Sequence, residues 1–220
     1  MEYKRITLLC GHYGSGKTNV AVNMAFDLKN KYDTVAIADL DIVNPYLRSK
    51  DSSEDFTSRG IRLICSEYAN TNVDIPALPP DIYALTDDKK IRAVIDVGGD
   101  DRGALALGRI APKIVEENDY EMLMVINCFR PLTRDAQSTI EVMREIEDAC
   151  RISFTGLVNN SNLGRATTEQ DVISSLEYAK EIEKLTGVPL KLTTVDESLY
   201  QVLKDKVENL FPLALQKKLI

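Results

Sequence analysis

Gly11-His12-Tyr13-Gly14-Ser15-Gly16-Lys17-Thr18 follows directly on the apolar run Ile6-Thr7-Leu8-Leu9-Cys10, and Val20, Ala21, Met24, Ala25 and Leu28 continue it as an apolar stripe at helical spacing. A GxxxxGK[ST] pattern between a strand and a helix is a phosphate-binding loop. Its glycine-rich backbone turns N–H groups towards phosphate oxygens, and the helix N-terminus adds a partial positive charge. In such a loop Lys17 reaches the β- and γ-phosphates. Thr18 places its hydroxyl on Mg2+, whose octahedral shell is completed by phosphate oxygens, waters and nearby carboxylates. Gly11, His12, Tyr13, Gly14, Ser15, Gly16, Lys17 and Thr18 are therefore the expected nucleotide-binding residues, with a helix over 18–28.

Outward from the loop, short apolar runs recur at 6–10, 34–38, 61–65, 93–97, 122–127, 154–159 and 190–194. Each is compact and lacks strict alternation, as parallel strands buried on both faces do. Helical patterns lie between most of them. Over 133–150, Ile140, Met143 and Ile146 form one stripe; another helix begins at Thr168-Glu169-Gln170-Asp171 and stops near Leu185, ahead of Gly187 and Pro189. Strand–helix alternation predicts a three-layer α/β/α sandwich, a P-loop NTPase fold with a mainly parallel central sheet of about seven strands, formed by 1–220 as one domain. The stretch 66–88, with Pro76, Pro79 and Pro80, breaks the alternation and reads as a loop or short-helix excursion over the sheet.

Two acidic motifs end strands. Ala38-Asp39-Leu40-Asp41 places two aspartates two apart at the ligand edge of a parallel sheet, one able to serve the magnesium shell and the other the attacking water. Val94-Ile95-Asp96-Val97-Gly98-Gly99 joins an aspartate on an apolar strand to a DxxG turn whose Gly99 N–H can sense a γ-phosphate. Ordinary loop acidity explains either motif alone less well once both occur in this order behind the phosphate loop.

With these motifs, and Gly156-Leu157-Val158-Asn159-Asn160 after a late strand, the chain resembles the MinD/ParA/CobQ class of P-loop ATPases over nearly its whole length, and more narrowly a bacterial group of single-domain MinD/ParA-like ATP-binding proteins. The resemblance implies ATP/ADP and Mg2+ as cofactors and slow ATP hydrolysis. It implies that Asp41 positions the water, that Asp39 and Asp96 with Thr18 hold magnesium through its shell, and that Asn159 reads the adenine, a loop cap being the alternative for Asn159. Lys17, Asp41 and Asp96 are the catalytic candidates. In that class the second loop residue is a lysine that reaches a partner's nucleotide. Here the position is His12, which contacts phosphate or bonds its own loop, so a homodimer stays open.

Composition narrows the partners. Hydrophobic residues make up 44% of 220, enough for one substantial core, and the net charge of −7 argues against a general nucleic-acid binder. Cys10, Cys65, Cys128 and Cys150 contain no CxxC pair, and His12 is the sole histidine, so the cysteines read as reduced thiols of a cytoplasmic protein. Neither a signal peptide nor a spanning run is present in the sequence. Arg48, Arg130 and Arg134 follow strand ends, where an arginine can bind an anionic partner or stabilise transferring phosphate, ordinary surface arginines near a helix start being the alternative. The stretch 207–220 invites comparison with the membrane-targeting tail of MinD, but Pro212 and its few basic residues favour packing against the sheet. An ATP-driven switch with a protein partner is the expected function; a small-molecule kinase, an ATP-dependent ligase and a non-hydrolysing nucleotide-binding module are the alternatives.

Overall fold

A computed structural model describes residues 2–40, 50–65, 79–99 and 101–214. Its strands are β1 (Ile6–Cys10), β2 (Val35–Asp39), β3 (Ile61–Cys65), β4 (Arg92–Asp96), β5 (Tyr120–Ile126), β6 (Gly156–Asn159), β7 (Leu190–Asp196) and β8 (Leu210–Leu213). They form one sheet in the order β3-β2-β4-β1-β5-β6-β7-β8. Every neighbouring pair is parallel. The helices are α1 (Lys17–Lys29), α2 (Lys50–Ser58), α3 (Ala84–Asp87), α4 (Asp101–Gly108), α5 (Ala111–Glu117), α6 (Ala136–Cys150), α7 (Glu169–Thr186) and α8 (Glu197–Leu203).

Side-chain alternation along the strands builds two cores, one on each face of the sheet. On β1, Ile6, Leu8 and Cys10 pack with Leu107 of α4, Ile114 of α5, Met143 of α6 and Ala179 of α7. Leu9 faces the other way, towards Val20, Met24 and Leu28 of α1 and Phe56 of α2. Burial of both faces explains why the strands read as unbroken apolar runs. The result is the expected three-layer sandwich.

The structure departs from expectation in detail. Among the described residues the sheet has eight strands rather than about seven, because Leu210–Leu213 pairs along β7, with Val195 opposite Pro212. Proline is tolerated there because β8 is an edge strand and needs no N–H on its outer side. The reciprocal bonds Ala214 N–H to Asn23 Oδ1 (2.9 Å) and Asn23 Nδ2–H to Ala214 O (3.2 Å) fasten the end of β8 to α1. The helix expected from 133 begins at Ala136, where the Asp135 carboxylate caps it by accepting from Ser138 N–H at 2.9 Å. Pro131–Thr133 forms a separate 3-10 turn. α7 starts as expected, with Thr168 and Asp171 forming a capping box, and Gly187 closes it in a left-handed conformation. Of the excursion at 66–88, residues 66–78 lie outside the described residues, while Pro80–Tyr83 and Ala84–Asp87 form a 3-10 turn and a short helix. Among the described residues no helix is long and apolar enough to cross a membrane.

Candidate functional site

The loop from Gly11 to Gly16 joins β1, near the middle of the sheet, to α1, so it lies at the carboxyl edge with β4 on one side and β5 on the other. His12 O is its internal hub, accepting from Ser15 N–H at 3.1 Å and from Lys17 Nζ at 3.3 Å. The His12 ring does not reach out; its Nδ1 donates to Tyr13 O at 2.9 Å. Of the two roles open to His12, the structure shows the bond within the loop. Gly16 caps α1 with φ of 88° and no side-chain cap bond. A side chain there would also collide with the Asn160 amide.

These features leave the loop short of an anion. No side chain caps the first turn of α1, so its exposed amides and dipole are uncompensated at that end. Lys17 is only 7% exposed, and among the described residues no carboxylate pairs with it. A buried ammonium held by a carbonyl oxygen alone is costly until a negative group joins it. Ser15 Oγ is also buried inside the loop without a hydrogen-bond partner. A phosphate chain supplies what all three lack.

On the β4 side the carboxylates gather. Asp39 and Asp96 are in-register neighbours on β2 and β4, 3% and 2% exposed. Strand parity puts both on the face covered by α1, as Ile37 and Val94 two residues earlier show. Thr18 Oγ1 donates to Asp96 Oδ2 at 2.6 Å. Two carboxylates and a hydroxyl fall short of an all-protein cation cage, and no cluster of three or more acidic, His or Cys ligands occurs among the described residues. A set this small suits Mg2+, which keeps several waters and takes phosphate oxygens as ligands. The turn after β4 closes on the loop: a Cβ on Gly99 would lie 2.7 Å from Tyr13 N and 3.0 Å from Lys17 Nζ, so only glycine fits. Asp41 and Arg48 lie outside the described residues.

On the β5 side the structure sends the two asparagines after β6 in opposite directions. Asn159 is fully buried and turned towards α7, donating from Nδ2 to Ser175 Oγ at 2.9 Å and accepting from Ser161 N–H at 3.2 Å. Its neighbour Asn160 has the opposite parity and faces the loop. Asn160 Nδ2 donates to Ser15 O at 2.6 Å, and its Oδ1 accepts from Thr194 Oγ1 of β7 at 2.6 Å. Beside it a cavity of about 90 Å3 opens between the phosphate loop and the segments after β6 and β7, walled by Gly14, Asn19, Arg130, Asn162, Val172 and Asp196 among others. Asn160, Thr194 and Asn19 were not expected. The apolar run at 154–159 is buried on both faces and so carries no alternation from which the parity of the two asparagines could be read.

Arg130 lies against Gly14, while Arg134 is exposed and pairs with Asp135 at 3.5 Å. All four cysteines are free, Cys10 and Cys150 buried and Cys65 and Cys128 half-buried. Burial pushes the Cys10 and Cys150 thiols up, which leaves them protonated and unreactive near neutral pH.

No family model and no curated protein matches this chain in sequence. Solved structures do match in shape. The cell division protein FtsY from Thermotoga maritima superposes with a TM-score of 0.57 at 18% identity, over 87% of this chain and 62% of that one. Chloroplast FtsY from Physcomitrella patens gives 0.54 at 17%, over 90% and 60%. Signal recognition particle 54 kDa protein from Aeropyrum pernix, solved with GDP, gives 0.54 at 16%, over 87% and 41%. This chain thus spans about three fifths or less of the length of these neighbours. Taken with the parallel sheet, the loop on its central strand and the acidic strand ends beside it, the likeness shows that the chain has the α/β fold of P-loop NTPases.

Proposed function

We propose that this chain is a Mg2+-dependent ATP-binding protein that hydrolyses ATP slowly and acts as a MinD/ParA-like nucleotide switch for a protein partner. The observation that carries it is the buried Lys17, with no carboxylate partner among the described residues, beside the Thr18–Asp96 bond, with Gly99 packed on the same loop. In this role Lys17 and the amides of the loop bind and orient the β- and γ-phosphates. Thr18, Asp39 and Asp96 would hold the magnesium, whose charge offsets that developing on the phosphoryl oxygens. Gly99 is the proposed sensor, its N–H donating to the γ-phosphate. Gly103 of α4 packs so closely on Gly98 that a Cβ would come within 2.6 Å of its backbone, so a shift of the turn is passed to α4. Asp41 is the proposed residue that orients the water. Hydrolysis forms a bond from the water oxygen to the γ-phosphorus as the bond to the bridging oxygen breaks, and the electron pair leaves with ADP.

Adenine as the base is part of the proposal, and one feature of the cavity supports it. Guanine offers N1–H and N2–H donors and needs an acceptor turned towards it. Asp196 is the carboxylate on the cavity wall, and its Oδ1 is already used as the cap of α8, accepting from Ser198 N–H at 3.0 Å and Ser198 Oγ–H at 2.6 Å. GDP in the 54 kDa neighbour favours the alternative, a guanine nucleotide read by the other oxygen of Asp196.

The test is equilibrium binding and phosphate release with ATP and GTP, with and without Mg2+, for the natural chain, Lys17→Ala and Asp41→Ala. Lys17→Ala is expected to abolish binding, and Asp41→Ala to keep binding but lose turnover. Undiminished nucleotide affinity in Lys17→Ala would end the proposal, and tighter GTP than ATP would replace adenine by guanine.

A further inference from the structure

Arg130 is held by a built loop. Asn127 O accepts from Arg130 N–H at 3.2 Å and from Thr133 Oγ1 at 2.8 Å, and Thr133 N–H returns to Arg130 O at 3.1 Å. Asn127 Oδ1 takes Phe129 N–H at 3.0 Å, and Cys128 N–H donates to Ser161 Oγ at 3.1 Å, which ties the turn to the segment after β6. Asn127 and Thr133 are each 1% exposed. Pro131 restricts Arg130 itself to an extended backbone, φ −106° and ψ 138°. The side chain then lies across Gly14, with Nε, Cζ and Cδ 3.5, 3.6 and 3.8 Å from where a Cβ on that glycine would be. Those are ordinary contact distances, so the guanidinium lies against the phosphate loop, and it is the left-handed φ of 78° that calls for glycine at 14. Exposed arginines commonly find a carboxylate; among the described residues Arg130 has none, whereas Arg134, four residues on, pairs with Asp135. Arg130 also forms part of the cavity wall with Gly14, Gly16 and Asn160.

We propose, resting on the nucleotide role above, that Arg130 is a phosphate-contacting residue supplied by the chain itself: its guanidinium donates to the oxygens of the polyphosphate passing Gly14. The planar fork suits two phosphate oxygens at once, and the backbone that carries it is already fixed by the turn before nucleotide arrives. Lys17 approaches the phosphates from inside the loop and Arg130 from its outer side, so the chain carries both cations and needs none from a second copy to neutralise the anion.

The experiment compares the natural chain with Arg130→Ala, Arg130→Lys and the control Arg134→Ala, by ADP and ATP affinity in Mg2+ and by phosphate release over a wide range of protein concentration. Arg130→Ala is expected to keep its thermal midpoint, to weaken both nucleotides about tenfold, and to lower turnover. Arg130→Lys is expected to recover part of the affinity but less of the turnover, since an ammonium replaces the charge and not the fork. Arg134→Ala should match the natural chain, whose turnover per molecule should not depend on concentration. Equal affinity and turnover in Arg130→Ala would overturn the inference while leaving the nucleotide role standing. Turnover that rises steeply with protein concentration would overturn the self-sufficient part. A natural chain that binds neither nucleotide would remove the nucleotide role, and the inference with it.

Discussion

Asn160→Ala is the substitution whose consequence can be worked furthest from the structure. Asn160 is 3% exposed and bridges the Ser15 carbonyl and the Thr194 hydroxyl through two bonds of 2.6 Å. Alanine leaves both groups buried. The Thr194 hydroxyl keeps a second, longer partner in Asn159 O at 3.4 Å, so the fuller penalty falls on the Ser15 carbonyl. An unsatisfied buried group costs about 1–3 kcal/mol, and the void adds to it. We expect a loss of about 2–4 kcal/mol in urea unfolding, or a fall of roughly 5–12 °C in thermal midpoint for a domain of this size. Nucleotide affinity should fall as well, by about tenfold or more, because the bond that fixes the loop beside Gly16 is gone. Asn159→Ala provides the contrast. It breaks bonds to Ser175 and Ser161 on the other face, so it should cost comparable stability and leave nucleotide affinity nearly intact. Calorimetric binding alongside urea titration measures both quantities. The reasoning is wrong if Asn160→Ala unfolds within about 1 kcal/mol of the natural chain, or if Asn159→Ala is the variant that loses nucleotide.

Two further substitutions probe other parts of the molecule. Gly99→Ala should weaken ATP binding more than ADP binding, and should also lower the unfolding free energy because the Tyr13 backbone must give way. The added methyl meets Tyr13 N at 2.7 Å and Lys17 Nζ at 3.0 Å, where a γ-phosphate is proposed to sit; equal effects on the two nucleotides would refute this. Glu121 is 6% exposed, and burial, only partly opposed by the bond from Thr7, holds its carboxyl above the ordinary value of 4.5. The folded chain therefore keeps a proton that the unfolded chain releases. This contribution to stability is complete below about pH 4.5 and is lost as pH rises through the raised folded value. Glu121→Gln should accordingly be more stable than the natural chain at neutral pH and flatten that part of the pH–stability curve, and a variant no more stable at pH 7 than at pH 4, relative to the natural chain, would contradict the burial effect.

Much of the fold was legible because parallel strands leave dense apolar runs and because caps such as Thr168 with Asp171 mark helix starts by chemistry alone. The phosphate loop was legible because glycine at 11, 14 and 16 with Lys17 and Thr18 has few other uses. β8 was not, since Leu210-Phe211-Pro212-Leu213 contains the residue least compatible with a strand and becomes one only because it lies at an edge. The choice between Asn159 and Asn160 turns on which face of β6 each side chain leaves from, and Leu157 and Val158 before them are buried on both faces. Arg130 was singled out by its place after a strand, but its contact with Gly14 depends on a turn closed by Asn127 and Thr133, bonds that no local pattern announces.

The position of β1 in the sheet also bears on how the chain is made. Its two neighbours, β4 and β5, come much later in the chain, and the Thr7–Glu121 bond spans 114 residues. At the usual synthesis rate of about 5–20 residues per second, the glycine-rich segment emerges from the ribosome on the order of ten seconds before the strand that will flank it. Until β4 is made Leu8, Leu9 and the apolar side of α1 lack the neighbouring strand that covers them, and the β5 side of β1 stays open until Ile126 is made. A nascent chain of this protein should therefore depend on ribosome-bound or early-acting chaperones most strongly before Ile126 has been released, and arrest of translation before that point should yield chains that aggregate rather than bind nucleotide.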